Sequence, residues 1–187
     1  MIQCQETGIG SATPKKVEHS LWEFESSTLL KSYTGQQVFS KVYVQSIMNE
    51  KPLKITNFSS GQSLQHDAGK LSLSRRGNSS WRLFPWQHNT KSCIMIASDG
   101  TAKLQLSVDA DGESVKVSEG RVHDVECEDN KWGLVPVEVK NNQGVYFIRK
   151  CMGGNAGARL AVKDGSSKIV CTNSKGSDYS SKWILSM

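Results

Sequence analysis

A tryptophan motif occurs three times in this chain. Trp81-Arg-Leu83-Phe-Pro85 returns as Trp132-Gly-Leu134-Val-Pro136 and again as Trp183-Ile-Leu185-Ser-Met187. The tryptophans stand 51 residues apart both times, and each has a leucine two positions on. Apolar residues at period 2 share one side of a β-strand. A fixed spacing of this size marks a repeated supersecondary unit that buries its apolar face only against its neighbours.

The pattern continues upstream of each tryptophan, with loops of different length. The first unit reads Pro52-Leu-Lys-Ile-Thr-Asn-Phe-Ser-Ser-Gly61, then Ser63-Leu-Gln-His-Asp-Ala-Gly69, then Lys70-Leu-Ser-Leu-Ser74. The second reads Ser92-Cys-Ile-Met-Ile-Ala97, Leu104-Gln-Leu-Ser-Val-Asp-Ala-Asp-Gly112 and Ser114-Val-Lys-Val-Ser118. The third reads Val145-Tyr-Phe-Ile-Arg149, Arg159-Leu-Ala-Val-Lys-Asp-Gly165 and Lys168-Ile-Val-Cys-Thr172. Each unit is therefore four short strands, with an Asp-containing turn ending in Gly between the second and third. Asp tolerates turn geometry and Gly supplies positive φ, so a tight hairpin is expected there. Short strands with regular turn signals and no long helical pattern give an all-β chain.

Three such units, each of roughly 45–51 residues, are expected to close around a pseudo-threefold axis as a β-trefoil over residues 50–187. Six strands would form a barrel and six a hairpin cap, leaving no exposed sheet edge. A propeller needs four or more blades, so three units do not make one. The unit I-x-N-x-x-S-G-x-x-L … D-x-G … W-x-L resembles the repeat of ricin-B-type lectins, with the trefoils of fascin-type proteins as the second likeness. The resemblance covers residues 50–187 and implies carbohydrate binding through the trefoil loops.

In ricin-type lectins the repeat ends in Gln-x-Trp, and an Asp just after the second-strand leucine accepts hydrogen bonds from sugar hydroxyls beneath a stacked aromatic ring. Here the Gln positions hold Ser79, Asn130 and Ser181, and the positions after the leucines hold Gln65, Ser107 and Ala161. Each unit carries an Asp slightly later, at Asp67, Asp109 and Asp164. These three are turn formers or polar ligand contacts, since loops on a rigid scaffold carry binding residues. Asn130 joins the candidate set from its Gln-equivalent position. Trp86, followed by Gln87 and His88, lies outside the repeated motif and reads as a stacking platform or as packing against the N-terminal extension. Trp81, Trp132 and Trp183 recur at one internal position and are expected in the core.

The remaining motifs point away from catalysis. His19, His66, His88 and His123 have no metal-ligand spacing, and no nucleophile elbow or paired-carboxylate motif is present, so neither a metal, a cofactor nor an enzyme activity is expected. Gly8-Ile-Gly10 lacks the strand and helix of a phosphate loop. Cys151-Met-Gly-Gly-Asn-Ala-Gly157 reads as an inserted loop or a close approach to a ligand. Five cysteines without C-x-x-C spacing argue against zinc and against a full disulfide framework, although Cys151 and Cys171 lie near enough in sequence to pair.

The formal net charge is +5, with the basic residues scattered, so no nucleic-acid footprint is expected. No run reaches the roughly 18 apolar residues of a membrane span, and no apolar signal-peptide segment opens the chain. A cytoplasmic location follows, or a secreted one if a leader has been removed, and the N-x-S sequons at Asn57 and Asn78 are then idle. Residues 1–49 form an extension in which 1–13 read as disordered, 17–33 as an amphipathic helix and 38–44 as a strand. The expected partner is a carbohydrate or glycoprotein. The alternative is an acidic protein partner, as Kunitz-type inhibitors and fascins use the same scaffold for protein contacts.

Overall fold

The structure is a computed structural model and describes residues 51–88, 91–98, 103–120, 128–174 and 179–187. The expected extension, with its helix and strand, lies outside the described residues, as do Gly8-Ile-Gly10, Cys4, Cys127, His19 and His123. Among the described residues the chain is all-β. β1 (Lys54–Asn57), β2 (Ser63–Asp67), β3 (Lys70–Ser74) and β4 (Arg82–His88) come first. β5 (Lys91–Ala97), β6 (Leu104–Val108), β7 (Val115–Glu119) and β8 (Trp132–Lys140) follow. β9 (Gln143–Lys150), β10 (Arg159–Lys163), β11 (Ile169–Thr172), β12 (Tyr179–Ser180) and β13 (Lys182–Ser186) complete the order.

The strands pair antiparallel, in the sequence β1 with β13, β13 with β9, β9 with β8, β8 with β5 and β5 with β4. Leu53 and Trp81 then exchange two backbone hydrogen bonds of 2.8 Å, which join the residue before β4 to the residue before β1. The sheet is thus nearly closed into a barrel, which leaves little free edge for pairing with other chains. The hairpins β2–β3, β6–β7 and β10–β11 stand off this ring and touch one another. The Val117 amide donates to the Gly69 carbonyl at 3.1 Å, and the Cys171 amide donates to the Glu113 carbonyl at 2.8 Å.

Turn chemistry sets these registers. Ala68 (φ 45°) and Gly69 (φ 83°) are both left-handed, the combination a two-residue hairpin connection needs. Asn141 (φ 50°) and Asn142 (φ 60°) do the same between β8 and β9, at a hairpin that the sequence reading passed over. β4 and β8 also run past the prolines at which the motif was read to stop. Pro136 is accommodated because the β8–β9 register slips between Pro136 and Glu138, a bulge that absorbs one residue.

Trp81, Trp132 and Trp183 are fully buried in one core with Ile55, Leu64, Leu106 and Leu160. Each places its indole Nε1 on a leucine carbonyl: Trp81 on Leu64 at 3.0 Å, Trp132 on Leu106 at 2.9 Å, Trp183 on Leu160 at 2.8 Å. A buried indole N–H left unpaired would cost about 1–3 kcal/mol, so this bond is what lets so large a side chain sit in the centre. Gly144 is required beside Tyr146, because a Cβ there would come within 2.6 Å of the tyrosine oxygen. β5 is buried on both faces. Ile94 and Ile96 enter the main core, while Cys93, Met95 and Ala97 meet Phe84, Trp86 and Met152 in a second cluster.

Candidate functional site

The β1–β2 loop is shaped by one side chain. Asn57, only 1% exposed, accepts the Ser60 amide on Oδ1 at 3.1 Å while its own backbone bonds Gln62 and Gly61. Its Nδ2 donates to the Ser180 carbonyl at 3.2 Å, and Ser180 Oγ donates back to Asn57 Oδ1 at 3.2 Å. Asn57 therefore ties the loop to β12, and Gly61 at φ 65° lets the chain turn back into β2. This internal use of Nδ2 also closes the sequon at Asn57 in the folded chain.

Opposite this loop stands the β10–β11 turn, where Gly165 takes φ 71° and Ser166 Oγ donates to the Lys163 carbonyl at 3.1 Å. Between the two lies an open cleft of about 400 Å3. The loop contributes Asn57, Ser59, Ser60 and Gln62, and β12 contributes Ser180. Asp164, Ser166 and Ser167 come from the turn, and Leu73 and Val162 give an apolar patch. Ser180 Oγ also bonds Ser59 Oγ at 2.9 Å, so hydroxyls on both sides are already held in place. The cleft offers the Asp164 carboxylate with the Lys163 cation next to it, several hydroxyls that donate or accept, and a small apolar surface. That combination suits a polyhydroxylated ligand.

The candidate residues read from the sequence do not gather here, Asp164 excepted. Asp109 is spent locally: its Oδ1 accepts the Ala110 amide at 3.0 Å and Lys116 Nζ at 2.9 Å. The Lys116 bond, then the Ala110 amide, hold its carboxyl below the usual carboxylate range. Its neighbour Asp111 is lowered further, to about 2, by hydrogen bonds from the Ser114 side chain and from the Glu113 and Ser114 amides. Asp67 is exposed at the end of β2, opposite Lys70. Asn130 is 1% exposed and donates from Nδ2 to Gln105 Oε1 at 2.6 Å. Its Oδ1 accepts the fully buried Lys131 Nζ at 2.5 Å.

Trp86 is a strand residue, 7% exposed, and Lys131 Nζ lies 5.0 Å from its ring centroid. At that burial, with a buried cation over one face, little of the ring is open to a ligand. His88 ends β4, and its side chain lies outside the described residues. The glycine-rich loop packs against its own protein: Asn155 Nδ2 donates to the Gly112 carbonyl of the β6–β7 turn. Cys93, Cys151 and Cys171 are free thiols, so the Cys151–Cys171 pair that the spacing allowed is not made. Burial pushes the Cys171 thiol up to about 11, which keeps it protonated and unreactive at neutral pH. Sequence reasoning missed Asn57, although Asn-Phe-Ser-Ser-Gly carries the signal of an Asx-stabilised turn.

No family model matches the chain, and no curated protein matches it. Solved structures do. The SDF2-like protein from Arabidopsis thaliana is similar with a TM-score of 0.54 and 12% identity, over 73% of this chain and 92% of that one. A Caenorhabditis elegans protein of unknown function is similar with a TM-score of 0.52 and 16% identity, over 73% of this chain and 93% of that one. A GlcNAcα1-4Gal-releasing endo-β-galactosidase from Clostridium perfringens gives a TM-score of 0.51 and 15% identity, over 72% of this chain and 32% of the enzyme. At these identities the likeness is one of fold: a nearly closed all-β barrel shared by chains with little sequence in common.

Proposed function

We propose that this chain is a β-trefoil protein that binds carbohydrate in the cleft at Asp164 and catalyses no reaction. The trefoil reading is supported by the three tryptophan–leucine bonds at 51-residue intervals and by three hairpins leaning together beside the six-stranded ring.

The observation that carries the binding reading is the cleft itself. Its carboxylate and serines are presented by two turns whose backbones are fixed by their own hydrogen bonds, so little ordering is needed when a ligand arrives. Asp164 is the one carboxylate among the described lining residues, an acceptor for sugar hydroxyls.

A glycan array at moderate salt tests it. A defined set of glycans bound by the wild type and lost in Asp164→Asn, with the glycans recovered uncleaved, supports the proposal. A blank array, or binding indifferent to Asp164→Asn, overturns it.

A further inference from the structure

The charged residues among those described as lining the cleft are Lys163 and Asp164, a cation and a carboxylate at neighbouring positions. No described residue donates to the Asp164 carboxylate, whereas the equivalent Asp109 is held by Lys116 and the Ala110 amide. Lys163 Nζ likewise makes no ion pair with a described residue. The turn beneath the two head groups is nevertheless fixed. The Lys163 amide donates to the Lys168 carbonyl at 3.0 Å, and the Lys163 carbonyl accepts Ser166 Oγ at 3.1 Å.

The apolar part of the cleft is small. Val162 is 7% exposed and Leu73 half-buried, so together they offer a spot and not a platform. None of the described lining residues is aromatic, so a sugar ring finds no flat face to stack on. Val162 is the cross-strand partner of Ser180, which sets the spot beside the bonded hydroxyls of Ser180 and Ser59. Ser60 Oγ accepts the Gln62 amide at 3.3 Å, which leaves its own proton to give.

A secondary amide carrying one methyl group answers these features together. It is neutral, as suits a lining with one charge of each sign. Its N–H donates to the Asp164 carboxylate, and its carbonyl oxygen, on the opposite side of the amide, accepts from Lys163 Nζ. Its methyl covers Val162 and Leu73, where a bare hydroxyl would lie unpaired against apolar atoms. We infer that the cleft takes the acetamido group of an N-acetylated amino sugar. The inference rests on the carbohydrate reading of the cleft and names the class of sugar. The ring hydroxyls of that sugar meet Ser60, Gln62 and the Ser59–Ser180 pair around the acetamido group.

The test titrates the full chain with two pairs of methyl glycosides that differ only at C2. One pair is N-acetylglucosamine and glucose, the other N-acetylgalactosamine and galactose. The acetamido member of at least one pair is expected to bind at least tenfold tighter. Burying one methyl group gives about fourfold of that, and the hydrogen bond to a carboxylate adds the rest. The N-formyl analogue keeps the amide and lacks the methyl, so it must bind the unchanged protein several-fold more weakly. Lys163→Met, at an exposed position, must narrow the gap within the pair while the melting temperature reports an intact fold. Equal affinity within both pairs, with binding still lost in Asp164→Asn, overturns the acetamido assignment and leaves the carbohydrate reading intact. An N-formyl analogue as tight as the N-acetyl sugar, or a gap unmoved by Lys163→Met, also overturns it. An acetyl-lysine peptide bound as tightly as the sugar overturns it in favour of a protein ligand. No binding of any glycan overturns both readings together.

Discussion

Trp81, Trp132 and Trp183 all vanish from solvent and all place Nε1 on a leucine carbonyl, with bond lengths that agree within 0.2 Å. Asp67, Asp109 and Asp164 hold matching places in the sequence and meet three different surroundings. Asp67 lies exposed beside a strand end, Asp109 is consumed by its own turn and Lys116, and Asp164 faces a cleft. The interior has one packing solution and uses it each time, because a large indole fits few shapes at close-packed density. The turns are bounded by solvent, so loop length and neighbours were free to diverge. Shared position therefore predicts shared structure in the core and predicts little about chemistry at the turns.

The largest test of that contrast is truncation of the tryptophans. Trp81→Ala, Trp132→Ala and Trp183→Ala should each lose about 3–5 kcal/mol in urea denaturation, with the three costs similar. One site costing far less than the others would break the equivalence. Next comes binding at the turns. Asp164→Asn should weaken the glycans it contacts by about tenfold or more, a difference of about 1.4 kcal/mol. Asp109→Asn and Asp67→Asn should leave binding within about twofold on the same array. A loss at Asp109 equal to that at Asp164 would make the turns functionally alike after all.

Two pH responses sharpen the comparison further. The Cys171 thiol titrates near 11 when folded against an ordinary value of 9.0, so between those values the unfolded chain releases a proton that the core retains. Stability is therefore expected to fall as pH rises through that window, and Cys171→Ala should flatten the fall in melting temperature. The smallest effect belongs to Asp111. Its folded value near 2 lies below the ordinary 3.8, so its contribution is present above about pH 4 and is lost as pH falls toward 2. In Asp111→Asn the acid limb of the melting curve should shift slightly.

Much of the barrel could be read from period-2 apolar residues, because a strand's two faces are written directly into alternate positions. Ile55, Leu64, Leu83 and Leu106 all fall in the core for that reason. Trp86 lies just past the repeated motif, so the repeat alone leaves its surroundings open. The same alternation carried one step further puts Phe84 and Trp86 on a common face, against Cys93 and Met95. The cleft was only half legible. Asp164 stood out as a turn acid, but its opposing wall comes from Asn57 to Gln62, and no local pattern says that the first unit's loop faces the third unit's turn. That juxtaposition is made by pairing between distant strands, which a window of sequence does not contain.

Asn57 and Ser180 are joined although 123 positions apart in sequence, and β13 lies between β1 and β9 as a shared neighbour of both. Until β13 is made, β1 therefore has β2 on one side and an open edge on the other. Neither the ring nor the cleft exists until residues 180–186 have left the ribosome. Up to that moment β1 exposes Ile55 and a row of open backbone groups, a state that invites the wrong neighbour. Closure then arrives as a single late event, and because its contacts are so distant in sequence it is slow by the standards of small domains. Removal of residues 182–186 would leave the ring open between β1 and β9.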